Sequence, residues 1–177
     1  LPSIVLGGRV LWAVGNNLAG DESMSGEYAR TWTFARALMY NYLATELVKN
    51  VVSRPRPDGA DNKSFFSGHT SSAFATSSYL YREIDDMRDR SISDATSRDA
   101  LKVLSFSVLY GWAGYVGYSR MQDNKHYLGD VLLGAAVGTL VGNLVFGQYF
   151  GEDNEQLPAI GLGMIEDQPT LSLSFTF

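Results

Sequence analysis

The chain contains only two histidines, His69 and His126. The second lies in a stretch equipped for chemistry, Ser119-Arg120-Met121-Gln122-Asp123-Asn124-Lys125-His126-Tyr127-Leu128-Gly129-Asp130. Tyr127 to Phe150 is apolar and lacks turn punctuation, which predicts a helix opening near His126. On such a helix His126 and Asp130 stand at i and i+4 and share a face. A carboxylate in that position accepts a hydrogen bond from one imidazole nitrogen and fixes the tautomer, leaving the other nitrogen's lone pair for attack. Arg120, on the entering loop, offers a guanidinium fork suited to phosphate oxygens. The chemistry is that of an activated histidine nucleophile beside an anion clamp. Taken alone, the same pattern is more simply a surface His–Asp pair with a solvated arginine.

Two further stretches favour the chemical reading. His69 lies in Ser64-Phe65-Phe66-Ser67-Gly68-His69-Thr70, and upstream of it runs Lys49-Asn50-Val51-Val52-Ser53-Arg54-Pro55-Arg56-Pro57. Read in order, K-x6-R-P, S-G-H and S-R-x5-H-x3-D resemble the three-part signature of the type 2 phosphatidic acid phosphatase (PAP2) superfamily. That superfamily includes bacterial non-specific acid phosphatases and vanadium-dependent haloperoxidases. The resemblance runs from Lys49 to Asp130, and about ten specified residues in order make it more specific than any one short motif. One position departs from the pattern: Phe66 stands where the second motif usually has proline. Proline contributes no donor, so the departure touches the loop's rigidity rather than its chemistry.

The resemblance implies roles position by position. His126 attacks phosphorus and becomes a phosphohistidine, and Asp130 orients it. His69 protonates the leaving alkoxide and then activates water. Lys49, Arg56 and Arg120, with the Ser67 hydroxyl and the Gly68 amide, hold the equatorial oxygens. Arg54 lies outside the matched motif and is an additional candidate. The resemblance implies neither metal nor cofactor, because cationic side chains supply the neutralising charge. The substrate class is a phosphorylated small molecule or a lipid phosphate or pyrophosphate. The same site admits a vanadium-dependent haloperoxidase, and a catalytically silent envelope domain binding anions or lipids is a third reading.

The elements that must position these groups are read from periodicity. Residues 3 to 19 form a short apolar helix ended by Gly20. From about Glu27 to Val52, Trp32, Phe34, Leu38, Tyr42, Leu47 and Val51 are among the apolar residues that recur at helical spacing, with Lys49 in the last turns. Each proline of Arg54-Pro55-Arg56-Pro57 disfavours the α region in the residue before it, so the helix delivers Lys49 to a stiff loop. Ser67 to Thr70 reads as a turn into another helix, whose start suits an anion. The mixed charges from Arg82 to Arg98 read as a solvated helix end and loop. A Thr96-x-x-Asp99 capping box opens an apolar helix from Ala100 to Tyr118, with Trp112, Tyr115 and Tyr118 as core or pocket wall. Gly134-x3-Gly138-x3-Gly142 in the last helix permits close helix approach. The tail changes to a period of two, with Ala159 to Met164, a break holding Pro169, and Leu171 to Phe177. The expected architecture is all-α, a bundle of about five to six helices of the PAP2/haloperoxidase type, followed by a short C-terminal β-hairpin or strand. The helical domain is placed at 1–157 and the tail at 158–177.

At 177 residues, 45% hydrophobic and 19% charged, the chain suits a folded domain with a sizeable core. A net charge of −5 advertises no nucleic-acid partner. Without cysteine there is neither a disulfide framework nor a thiolate metal site. The chain begins at Leu1 with no charged leader ahead of a cleavage site, which reads as a mature or trimmed product. An exported protein, periplasmic or otherwise associated with the envelope, is expected. Membrane-surface association is compatible with this, and integral insertion is less favoured, because Val131–Phe150 alone meets the length and polarity of a span.

Overall fold

The computed structural model describes residues 2–18, 25–151, 159–165 and 168–174. Five helices precede a strand pair: α1 (Pro2–Leu18), α2 (Ser25–Val52), α3 (Gly68–Ser91), α4 (Ala95–Gln122), α5 (Leu128–Phe150), β1 (Ala159–Ile165) and β2 (Gln168–Ser174). The chain divides into two units, Leu1–Phe146 and Gly147–Phe177. The all-α expectation holds for the first unit. In the second, β1 and β2 pair antiparallel, with Ala159 opposite Ser174 and Met164 opposite Pro169. Pro169 thus lies inside a strand rather than in a break. The expected Gly20 stop and the last residues of the tail lie outside the described residues.

Helix α3 sits at the centre of the first unit, packed against α1, α2 and α4 and, through backbone approach, against α5. A helix enclosed on several sides can be approached closely only if its side chains are small. Its buried positions include Ser71, Ala73, Ala75, Thr76, Ser77 and Ser78. Burying hydroxyls costs free energy unless they are bonded, and here they are. The Ser71 hydroxyl donates to Asn41 Oδ1 at 2.5 Å, and Ser77 donates to the Leu109 carbonyl at 2.8 Å. Ser78 Oγ meets Tyr110 Oη at 3.0 Å.

The glycine ladder of α5 completes this packing. A Cβ added at Gly138 would lie 2.1 Å from the Ser71 carbonyl oxygen, and one at Gly134 would lie 2.7 Å from that of Ser67. The backbones of α3 and α5 therefore touch at the spacing the sequence suggested.

With small polar residues inside, large apolar ones face outward. Trp32, Leu47 and Val51 on α2, Val103 and Tyr115 on α4, and Leu132 on α5 are all more than 60% exposed. The helical spacing of the α2 residues was legible, but most of them point away from the bundle; Phe34 is the fully buried exception. Tyr115 and Tyr118 are likewise exposed rather than core.

One sequence-based boundary shifts. Helix α4 starts five residues earlier than expected because Asp94, not Thr96, is its cap, accepting from the Ser97 amide at 2.7 Å. The charged end of α3 is not simply solvated either. Glu83 is only 6% exposed and is held by both guanidinium nitrogens of Arg9 on α1. Arg30 on α2 reaches Asp86 at 2.5 Å. These pairs tie α1 and α2 to the end of α3, where partial burial strengthens them relative to exposed pairs.

Candidate active site

Helix α2 ends at Val52, where Ser53 turns to a positive φ of 43° and the Arg-Pro repeats begin. The following loop folds back on itself and onto the α4–α5 connection. Ser64 N donates to the Arg54 carbonyl at 3.0 Å, and Asp58 N donates to the Asn124 carbonyl at 3.1 Å. Lys125 Nζ reaches Asp58 Oδ2 at 2.5 Å. Ser67 N donates to the Asp130 carbonyl at 3.0 Å. These bonds bring the segments bearing the two histidines together.

His126 is 3% exposed. It precedes α5, which begins at Leu128, so the expected helical i,i+4 stacking with Asp130 does not form. Its Nδ1 lies 2.7 Å from the Ser64 carbonyl oxygen but 3.9 Å from Asp130 Oδ2, beyond hydrogen-bond reach. A carbonyl can only accept, so Nδ1 carries the proton and Nε2 keeps the lone pair. Among the described residues Nε2 has no hydrogen-bond partner. Asp130 therefore does not orient the ring directly, as the sequence suggested; the Ser64 carbonyl does.

Asp130 is fully buried and is spoken for elsewhere. Arg54 Nη1 reaches its Oδ1 at 2.5 Å. The Ser64 hydroxyl donates to Oδ2 at 2.5 Å, and the Tyr127 amide donates to Oδ2 at 3.0 Å. Ser64 thus links the two groups, its hydroxyl on the carboxylate and its carbonyl on the imidazole. Sequence reasoning missed this residue because its carbonyl, common to every residue type, does half the work. Arg54 also stacks over the Tyr127 ring at 4.3 Å. It belongs to Asp130 and not, in this arrangement, to a phosphate cradle.

Ser64→Ala leaves the carbonyl in place and deletes a charge-assisted bond. The expected result is a stability loss of about 2 kcal/mol in denaturant titration. Turnover should fall about tenfold, since a small misplacement of a reacting group is costly.

Of the remaining candidates, Lys49, Gly68, His69 and Arg120 line one cleft of about 680 Å³, together with Glu46 and Ser119 among others, whereas Arg56, Ser67 and His126 are not part of its lining. Ser67 caps α3, its hydroxyl accepting from the Thr70 amide at 3.4 Å. Its Oγ also accepts from the Thr70 hydroxyl at 2.9 Å, so it enters the site already engaged. Gly68 is needed for close approach: a Cβ there would stand 3.0 Å from Thr45 Cγ2 and 3.3 Å from Lys49 Nζ. Arg120 rides on the last turn of α4 rather than on the loop. It is steadied by Asp123 at 2.7 Å, and Arg56 is steadied by Asp61 at 2.7 Å. Phe66, in the position where the pattern usually has proline, is 1% exposed and packs into the core.

The electrostatics agree with one shared site. Burial lowers the pKa of His69, and the charges of Arg120, Lys49 and Arg56 lower it further. Burial also lowers that of His126, with Arg56 and Lys49 adding to the effect, while the Ser64 carbonyl and Asp130 oppose it. Lys49 is lowered chiefly by burial, and Glu46 partly restores it. The charges of Lys49 and Arg56 thus act in the same direction on both imidazoles.

Fold and site together define a class: a helical bundle in which Lys49, His69 and Arg120 line one cleft, while hydrogen bonds of the α2–α3 loop to His126 and Asp130 hold the second histidine and a buried aspartate at the start of α5. The chain belongs to the PAP2 superfamily, which residues 30–153 match. It is similar to the lipid A 1-phosphatase of Porphyromonas gingivalis, with 32% identity over 126 residues that cover 67% of this chain and 25% of the relative. It is also similar to a Schizosaccharomyces pombe protein named "Probable diacylglycerol pyrophosphate phosphatase 1". That match is 27% identical over 158 residues, covering 67% of this chain and 54% of the relative. The chain thus spans a quarter of the first relative and about half of the second. No solved structure matches it significantly.

Proposed function

We propose that this chain hydrolyses lipid phosphates through a phosphohistidine on His126, without need of a metal. The observation that carries the reading is the His126 ring, nearly buried, with Nδ1 on the Ser64 carbonyl and Nε2 without a hydrogen-bond partner among the described residues. In the first half-reaction Nε2 attacks phosphorus, the P–O bond to the leaving group breaks, and His69 delivers a proton to the departing alkoxide. Lys49, Arg56 and Arg120 neutralise the equatorial oxygens as charge develops. In the second half His69 takes a proton from water, the resulting hydroxide attacks phosphorus, and the P–N bond breaks. Lipid substrates are favoured by the names of both relatives. The cleft itself agrees, because beyond the cations its walls are Leu38, Tyr42, Trp112 and Val116.

The outward apolar faces of α2, α4 and α5 fit contact with a membrane, where such substrates reside. Helix α5 is the one described helix long and apolar enough to cross one, and it is only 33% buried over its most apolar window. An exported, envelope-associated location suits this reading, and the exposed faces weigh towards membrane contact more strongly than the sequence did.

The test is hydrolysis of phosphatidic acid in detergent micelles with excess chelator. Activity should persist, vanadate should inhibit it, and quenching in alkaline denaturant should trap acid-labile, base-stable phosphate on the wild type but not on His126→Ala. Loss of activity with chelator, or a trapped phosphate that survives the substitution, overturns the mechanism.

A pH profile follows from the two lowered imidazoles. His126 must be neutral to attack, and its lowered pKa keeps it neutral further into acid. His69 must be protonated to act as acid, and its lowered pKa loses that proton earlier as pH rises. The kcat/KM profile should therefore peak in acid, with its alkaline limb below the ordinary imidazole range. That limb should disappear in His69→Asn.

A further inference from the structure

We infer that Glu46 selects against a second phosphate next to the scissile one, so that the cleft prefers lipid monophosphates to pyrophosphates. The inference rests on the phosphatase reading above and concerns the same cleft. The two relatives' names include both a phosphatase and a pyrophosphate phosphatase, so similarity leaves this choice open.

The cleft has an order along its walls. On α2 the lining residues are Lys49, then Glu46 and Thr45, then Tyr42, then Leu38; on α4 they are Arg120 and Ser119, then Val116, then Trp112. These steps of three or four residues put each wall on one helix face. A ligand whose phosphate sits with Lys49, His69 and Arg120 and whose tail lies along Tyr42, Leu38 and Trp112 must pass Glu46. That residue stands three positions from Lys49, about 4.5 Å along the helix axis.

Glu46 is poised to be read by the ligand. Its Oε1 is 3.8 Å from Lys49 Nζ, beyond hydrogen-bond distance, and no hydrogen bond engages it among the described residues. Its side chain is 35% exposed into the cleft. The other carboxylates near the cations are occupied: Asp61 by Arg56, Asp123 by Arg120 and Asp130 by Arg54. Glu46 alone of these four lines the cleft, and its oxygens face the path of the linking group. The second phosphate of a pyrophosphate would bring negative charge beside that carboxylate, where repulsion in a partly desolvated cleft is strong. A hydroxyl or amide at the same place would instead donate to it.

The experiment compares kcat/KM for phosphatidic acid and diacylglycerol pyrophosphate in mixed micelles, using the full chain and its Glu46→Gln and Glu46→Asp variants. The wild type should favour the monophosphate. Glu46→Gln should raise the pyrophosphate-to-monophosphate ratio about tenfold by removing the repulsion, and Glu46→Asp, which keeps the charge, should hold the ratio within about threefold of wild type. A ratio unchanged by Glu46→Gln, with both substrates altered together, would assign Glu46 to supporting Lys49 only and overturn the inference. So would a wild type that favours the pyrophosphate. A wild type that hydrolyses neither lipid would instead refute the phosphatase reading itself, and the inference with it.

Discussion

Replacing His126 with alanine should lower phosphatidic acid turnover by at least about 10⁴-fold, because removal of a covalent nucleophile leaves only binding and charge stabilisation. The fold should survive. The lost ring leaves the Ser64 carbonyl without its partner, but Arg54, the Ser64 hydroxyl and the Tyr127 amide still hold Asp130. Binding should survive too, since Lys49, Arg56 and Arg120 remain, so kcat should collapse while KM changes little. His126→Ala that retains a tenth of wild-type turnover would show that another group attacks phosphorus. The comparison with Asp130→Asn sharpens the assignment. The aspartate touches Arg54 and Ser64 rather than the ring, so its loss should cost much stability as well as rate, whereas the loss of His126, which unpairs one buried carbonyl, should cost chiefly rate.

Gly138→Ala should be the most destabilising single-methyl change in the bundle. The added Cβ would fall 2.1 Å from the Ser71 carbonyl oxygen and 2.9 Å from the Ala75 nitrogen. These are backbone atoms of α3 and cannot rotate aside. Helix α5 must move away, and α3 carries Ser67 and His69 at its start, so the site is disturbed with the fold. A loss of about 3 kcal/mol or more is expected, or a fall of roughly 6–12 °C in Tm at this chain length. Gly111→Ala on α4 is the control. Nothing lies within 4 Å of its added Cβ, so it should stabilise the helix by about 0.5–1 kcal/mol through reduced unfolded-state freedom. Equal Tm values for the two variants would refute the close α3–α5 contact.

How much of this was legible in the chain divides along a physical line. Lys49, Arg56, Ser67, Gly68, His69, Arg120, His126 and Asp130 stood out as candidates because they match the ordered motifs of the PAP2 signature, and motifs are written in side-chain types and spacing. Helices could be placed because apolar residues repeat every three to four positions, and the glycine ladder could be read as close approach because glycine lacks a Cβ. What periodicity did not show is which side of a helix faces in. Trp32, Leu47 and Val51 mark a stripe on α2, but the bundle's interior is filled by Phe34, Asn41, Phe66, Tyr79, Phe146 and the small residues of α3, and the stripe faces out.

The partners of the site were likewise decided only by the tertiary structure. His126 and Asp130 are close in sequence, which made their pairing the natural expectation. Folding instead brings in Ser64, sixty-two positions from His126, and places its carbonyl on the ring and its hydroxyl on the carboxylate. Arg54 and Arg56 are two residues apart in one repeat, but one turns to buried Asp130 and the other to Asp61 on its own loop. A backbone carbonyl has no residue type, and a loop's direction depends on contacts distant in the chain. The sequence by itself therefore determined which chemistry the chain is equipped for, and the tertiary structure decided which group holds which.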